Sequence, residues 1–144
     1  MEKTDTIKLL QECDAGSKMA VTSIDELMDK ATDSELVELL EESKKHHEKL
    51  GNDLHSMLNH KESDEKEPKP MAKAMSKLKI NLIMGMDNSD AMISELITDG
   101  CDMGVKSLYK YMNQYKAAEE PAKDICKRLI AIEEELRDKL RKFL

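Results

Sequence analysis

The chain has no tryptophan, one phenylalanine and three tyrosines. The core of a 144-residue domain must therefore be aliphatic and methionine-rich, with 11 methionines available for it. Glycine (5) and proline (3) are also scarce. Beside abundant Ala, Leu, Met, Glu and Lys, that scarcity points to a mostly helical protein. Positive charge is short as well: the formal net charge is −7, which argues against a nucleic-acid partner, since phosphate contacts need a surplus of Lys and Arg. No apolar run approaches the roughly 18 residues of a membrane span. Met1 to Asp5 is polar and lacks the apolar core and cleavage site of a signal peptide, so the expected compartment is the cytoplasm and no membrane partner is expected. Three cysteines without an export signal read as reduced thiols. Cys13 and Cys101 fall on apolar faces, as inert core thiols do; redox or metal use is the other reading. There is no His-Glu-x-x-His, no Cys-x-x-Cys, no glycine-rich phosphate loop and no nucleophile with a base at motif spacing.

What the chain does have is self-similarity. Cys13-Asp14-Ala15-Gly16-Ser17-Lys18 and Cys101-Asp102-Met103-Gly104-Val105-Lys106 both read Cys-Asp-x-Gly-x-Lys. Each copy sits early in a long helical pattern and is followed by a second. Two α-hairpins of one ancestry should pack as a pseudo-two-fold four-helix bundle. The all-α expectation is one domain over 1–144, with repeat 1 at about 5–59, a linker at 60–70, a crossover helix at 71–86 and repeat 2 at about 89–144.

In the first helix Leu10, Cys13, Ser17, Ala20, Ile24, Leu27 and Ala31 alternate steps of three and four, as one buried face requires. Thr4 is its expected N-cap. Thr32-Asp33-Ser34-Glu35 matches a capping box, and the next stripe is Leu36, Leu40, Ser43, His47, Leu50, Leu54 and Met57. The stretch from His60 to Pro70 is charged and reads as a solvated linker with nothing apolar to bury. Met71, Met75, Leu78, Leu82 and Met86 then form one side of an amphipathic piece, a crossover helix. These residues either fill core gaps or form a docking surface for a second subunit or partner. Ser89 is the expected N-cap of the third helix, whose inward face is Ile97, Cys101, Gly104, Leu108, Tyr111 and Tyr115. Pro121 suits the first turn of the fourth. With an offset of about 88 for the first helices and 86 for the second, Leu36, Leu50, Leu54 and Met57 match Ala122, Leu136, Leu140 and Phe143. Gly16 and Gly104 are expected where the first and third helices approach closely, because glycine inside a helix otherwise costs roughly 1 kcal/mol.

Di-iron bundles place one Glu on each of two helices and Glu-x-x-His on each of the other two. Here Asp14 and Asp102 can point inward from the first helices. His47 and Glu133 are the polar residues on the stripes of the second helices and are equivalent at the offset of 86. Three residues on, where histidine is needed, stand Leu50 and Leu136. From Ala74 to Leu144, in Ser-Lys-Leu-Lys-Ile-Asn-Leu-Ile-Met-Gly-Met-Asp-Asn-Ser-Asp and Cys-Asp-Met-Gly-Val-Lys, and more weakly over the first half, the chain resembles an uncharacterised group of bacterial ferritin-like proteins. The resemblance implies the fold, two hairpins with a helical crossover, and no established activity.

Lys18 and Lys106 lie four residues after Asp14 and Asp102, acid first, the favourable order for a helical ion pair. An ammonium there can neutralise a buried carboxylate as a metal would. Two readings follow. Asp14, Lys18, His47, Asp102, Lys106 and Glu133 form a metal-free polar network, or Asp14, His47, Asp102 and Glu133 keep a residual site for iron or another divalent metal. His46 with Glu42 one turn before it reads as a solvated face, and His55 and His60 as the frayed end of the second helix. A third reading, a small-ligand pocket, rests on Tyr109, Tyr111, Tyr115, Gly16, Ser17 and Ala20. The expected function is non-catalytic: a cytoplasmic bundle acting by self-association, as a homo-oligomer such as a dimer, or through an unknown protein partner. The alternative is a metal-binding protein with a degenerate di-metal site and oxidase or metal-handling activity.

Overall fold

Four α-helices run through the residues that the computed structural model describes, 1–68, 80, 84, 85 and 89–144. They are α1 (Glu2–Met28), α2 (Ser34–His60), α3 (Asp90–Gln114) and α4 (Glu120–Leu140), closed by a 3-10 turn at Arg141–Phe143. No strand occurs among the described residues. Several boundaries follow the side chains that satisfy the free N–H groups at helix starts. Ser89 caps α3 by accepting from the Met92 N–H at 3.1 Å, and Pro121 sits in the first turn of α4. α2 is capped by Asp33, which accepts from Glu35 and Leu36. Thr32 does not cap it as the expected box has it, because its N–H and hydroxyl both donate to Asp90 at 2.9 Å. Asp90 also accepts from the Asp33 N–H, so the first turn of α3 staples the α1–α2 turn. α1 starts before Thr4, at Glu2, and α3 stops at Gln114.

These contacts fix the direction of every helix. Asp5 and Thr6, at the start of α1, accept from the Ala117 and Glu119 N–H groups after α3. Lys61, at the end of α2, pairs with Glu119 at the start of α4. Glu35, at the start of α2, pairs with Lys142 beyond the end of α4. The order is therefore up, down, down, up. α1 lies on α2 and α3 on α4; α2–α4 and α1–α3 complete the square, and α1 also touches α4 across it. Because α2 ends at one end of the bundle and α3 begins at the other, the connection between them covers the bundle's length, roughly 40 Å for helices of this size.

The first part of that connection is not the free linker expected over 60–70. His60 still belongs to α2. The helix ends in a Schellman turn, with Glu62 N–H on the Asn59 carbonyl and Ser63 N–H on the Leu58 carbonyl. Glu62 takes φ 54°, the left-handed position where glycine is usual. The turn lays residues 63–68 along α1. Gln11 donates to the Asp64 carbonyl at 3.0 Å, the Lys66 N–H donates to Asp14 at 3.0 Å, the Lys66 ammonium pairs with Glu12, and Lys18 meets Glu65 and Glu67. Pro68 is buried. The segment has little apolar area to bury, and charge on α1 holds it instead. Met71, Met75, Leu78, Leu82 and Met86 of the expected crossover helix lie outside the described residues. Ile80 and Met84 have helical backbone and are buried in the core.

The core falls into two leucine-rich parts. One gathers Leu9, Leu10, Cys13, Leu50, Leu54, Leu58, Leu108 and Ala122 to Ile130 positions at the open ends of the first hairpin. The other gathers Ile24, Leu27, Leu36, Leu40, Ile80, Met84, Ile93, Ile97, Leu136 and Leu140 near its turn. Between them lies a layer with buried polar groups: Ser17, Ser43, His47 and Glu133. Of the two motif glycines, Gly16 is exposed with open space about it, and Gly104 of α3 lies against Glu133 of α4 rather than against α1; Gly51 of α2 lies against Ser17.

Two substitutions test this backbone reading. Gly16→Ala removes a helix-interior glycine with nothing in its way and is expected to stabilise by about 1 kcal/mol. Glu62→Gly relieves a left-handed non-glycine residue and is expected to stabilise by about 0.5–1 kcal/mol. Urea midpoints at pH 7 check both, and a fall in either midpoint would contradict the local geometry described.

Candidate functional site

α2 and α4 bring His47 and Glu133 together at mid-bundle. Their side chains are buried, and His47 Nε2 stands 2.5 Å from Glu133 Oε1. His47 Nδ1 stands 2.8 Å from the Ser43 carbonyl one turn earlier. With Glu133 as a carboxylate, both partners accept and both ring nitrogens donate, the arrangement of an imidazolium. Burial opposes that charge, but the Glu133 hydrogen bond and carboxylate charge, with the Ser43 carbonyl, outweigh it and raise the histidine above its ordinary 6.5. Gly104 lies beside the carboxylate: a Cβ there would stand 3.5 Å from Glu133 Oε2, an ordinary contact. The buried Cys101 thiol faces the same carboxylate; burial first, and then the Glu133 charge, push its pKa far up, so it is inert as a nucleophile. Cys13 and Cys126 are buried against each other. Their mutual hydrogen bond and burial hold Cys13 well above the usual thiol range.

A second cluster sits where the 63–68 segment crosses α1 and α2. Asp14 is fully buried. Its Oδ2 accepts the Lys66 N–H at 3.0 Å and pairs with Lys18 at 3.2 Å, the ion pair expected from the spacing. Its Oδ1 faces His55 Nε2 at 2.9 Å, yet neither atom has a hydrogen-bond partner, because their directions do not meet. Glu65 Oε1 lies 3.1 Å from the same Nε2 and 3.0 Å from Lys18 Nζ, and Glu67 lies 2.7 Å from that ammonium. Lys18 thus faces three carboxylates. Their hydrogen bonds overcome partial burial and push its pKa far up.

The six residues expected to form one network are therefore divided. His47 and Glu133 meet, and Asp14 and Lys18 meet elsewhere. Asp102 is exposed and pairs with Arg137 at 3.3 Å, and Lys106 is exposed. The expected metal quartet of Asp14, His47, Asp102 and Glu133 does not converge: among the described residues, the one group of three metal-ligating side chains within 4.8 Å is Asp14, His55 and Glu65. The three tyrosines of the expected pocket are divided. Tyr109 is exposed, while Tyr111 and Tyr115 stack at 6.3 Å against the core. His55 and Glu65 were missed by reading stripes. A signal existed in the hairpin register, since Lys44 pairs with Asp25, and eleven residues on along α2 and back along α1 stand His55 and Asp14, three turns away on the same faces.

The chain was compared with known proteins. No family model matches it, no curated protein matches it and no solved structure matches it.

The His47–Glu133 pair makes stability depend on pH with a definite sign. A histidine raised on folding contributes fully below its unfolded value near 6.5, and that contribution is lost as pH rises through the higher folded value. The wild-type urea midpoint is expected to fall over that window, and His47→Leu/Glu133→Leu to be flat across it. Glu133→Leu alone, which strands the imidazolium, is expected to cost about 3 kcal/mol, most of it regained in the double variant. Equal pH profiles for wild type and double variant would contradict the charged pair.

Proposed function

We propose that the chain is a ferritin-like bundle derived from a duplicated hairpin, whose centre is closed by side-chain hydrogen bonding rather than arranged for a metal-centred reaction, and that it works by association. The contact between His47 and Glu133 carries the reading. Under the 86-residue offset these two positions are equivalent, and equivalent positions that touch lie on the axis relating the two hairpins. The up-down-down-up order with one long crossover supports the ferritin-like assignment. The chemistry at the axis supports a non-catalytic centre: the carboxylate and the imidazole that would face cations are spent on each other. Leu50 and Leu136, where the di-metal pattern has histidine, are buried core residues.

Association with a second copy of the chain is the form of this reading put to test. Its support is the sequence stripe Met71, Met75, Leu78, Leu82 and Met86, a methionine-rich surface of the adaptable kind. Met75→Asp with Leu78→Asp is expected to shift the protein from dimer to monomer by sedimentation velocity at micromolar concentration, leaving the urea midpoint within about 0.5 kcal/mol of wild type. A monomeric wild type would overturn self-association, and a double variant that unfolds would assign these residues to the monomer's own core.

A further inference from the structure

The cluster beneath the 63–68 segment has the chemistry of a ligand site. His55 Nε2 stands 2.9 Å from Asp14 Oδ1 and 3.1 Å from Glu65 Oε1, and the three atoms lie within 4.8 Å of one another. Three donors bound to one first-row cation at about 2.1 Å would stand roughly 3.0–3.4 Å apart, the edge of an octahedron or tetrahedron. A second observation points the same way. The Asp14 side chain is fully buried, and its Oδ1 and the facing His55 Nε2 are both without hydrogen bonds. Two buried polar atoms at 2.9 Å that do not bond each other are both left unsatisfied, which is costly unless a further group meets them. Lys18 sits on the other oxygen of Asp14, Oδ2, and leaves Oδ1 open. Charge agrees with geometry. One ammonium, Lys18, is shared by Asp14 and Glu65, so it does not cancel both carboxylates, and a bound cation would offset the excess.

We propose that Asp14, His55 and Glu65 bind one divalent first-row transition cation of the Zn²⁺ type, and that this ion clamps the start of the crossover to α1 and α2. An imidazole with two carboxylates favours such a metal over Mg²⁺ or Ca²⁺, which take oxygen ligands. The site is separate from the His47–Glu133 centre and does not depend on the self-association reading. Its role is to tie a segment that has almost no apolar anchor of its own.

The test uses the full chain, first stripped with chelator, and Zn²⁺ alone as ligand in isothermal titration calorimetry, with Co²⁺ absorption as a spectroscopic report on nitrogen ligation. Wild type is expected to bind one equivalent of Zn²⁺, and Zn²⁺ to slow tryptic cleavage after Lys61 and Lys66. His55→Ala and Glu65→Gln are expected to weaken binding by at least about tenfold; Glu65 is on an exposed non-helical segment, so its variant folds. His46→Ala, on the solvated face of α2, is expected to leave binding unchanged. Lys18→Ala is expected to tighten binding, because the ammonium competes for the same carboxylates. No binding by wild type, affinity unchanged in both His55→Ala and Glu65→Gln, or equal loss with His46→Ala would overturn the proposal. Loss in Lys18→Ala as large as in His55→Ala would also overturn it, by showing that the segment is held by ion pairing alone.

Discussion

The contact between the His47 imidazolium and the Glu133 carboxylate sets the register on which the rest of the bundle depends. Above and below it, α2 and α4 meet through leucine and isoleucine faces. Aliphatic faces repeat every turn, and sliding by one turn changes their packing little. A 2.5 Å bond between two buried charged groups has one position only, since any slip strands both charges out of water. The two apolar halves of the core are then fixed on either side of it. The same contact decides what the centre can do: each group that might meet a cation is already met by the other.

Asp14 imposes the second constraint. A fully buried carboxylate must be answered, and α1 answers only part of it through Lys18. The backbone of Lys66 supplies a further bond to the same oxygen, and the other, Oδ1, faces His55 Nε2 without bonding it. The start of the crossover is therefore shaped by charge on α1. Glu62 accepts a left-handed backbone so that the chain can turn back onto that helix. The matching motif on α3 has no such burden. Asp102 stands in solvent beside Arg137.

Much of this was legible in the amino-acid order. Alternating steps of three and four gave the buried faces of all four helices, and the Asp14–Lys18 pair followed from a spacing of one turn. Both are properties of a single helix, where the geometry is known before any packing occurs. The cap of α2 moved one residue, to Asp33, because Thr32 was taken by a tertiary partner, Asp90. The split of the six polar residues into two clusters was not legible, nor was the part of Glu65, which sits in a stretch whose composition reads as plain linker. Nothing in a charge-rich segment says which face of which helix will hold it.

The sequence by itself determined an all-helical chain: it has too few aromatics and glycines for another core, and its apolar residues recur with the period of a helix. It also placed His47 and Glu133 on buried stripes. Tertiary structure alone decided that these two touch, that Asp14 is buried while Asp102 is not, and that His55 and Glu65 join Asp14. The physical reason is that periodicity is a property of one element, whereas a polar group's partner depends on the register and direction in which separate elements meet. The two Cys-Asp-x-Gly-x-Lys stretches therefore carry different chemistry: Asp14 is buried beneath 63–68, and Asp102 pairs with Arg137 at the surface.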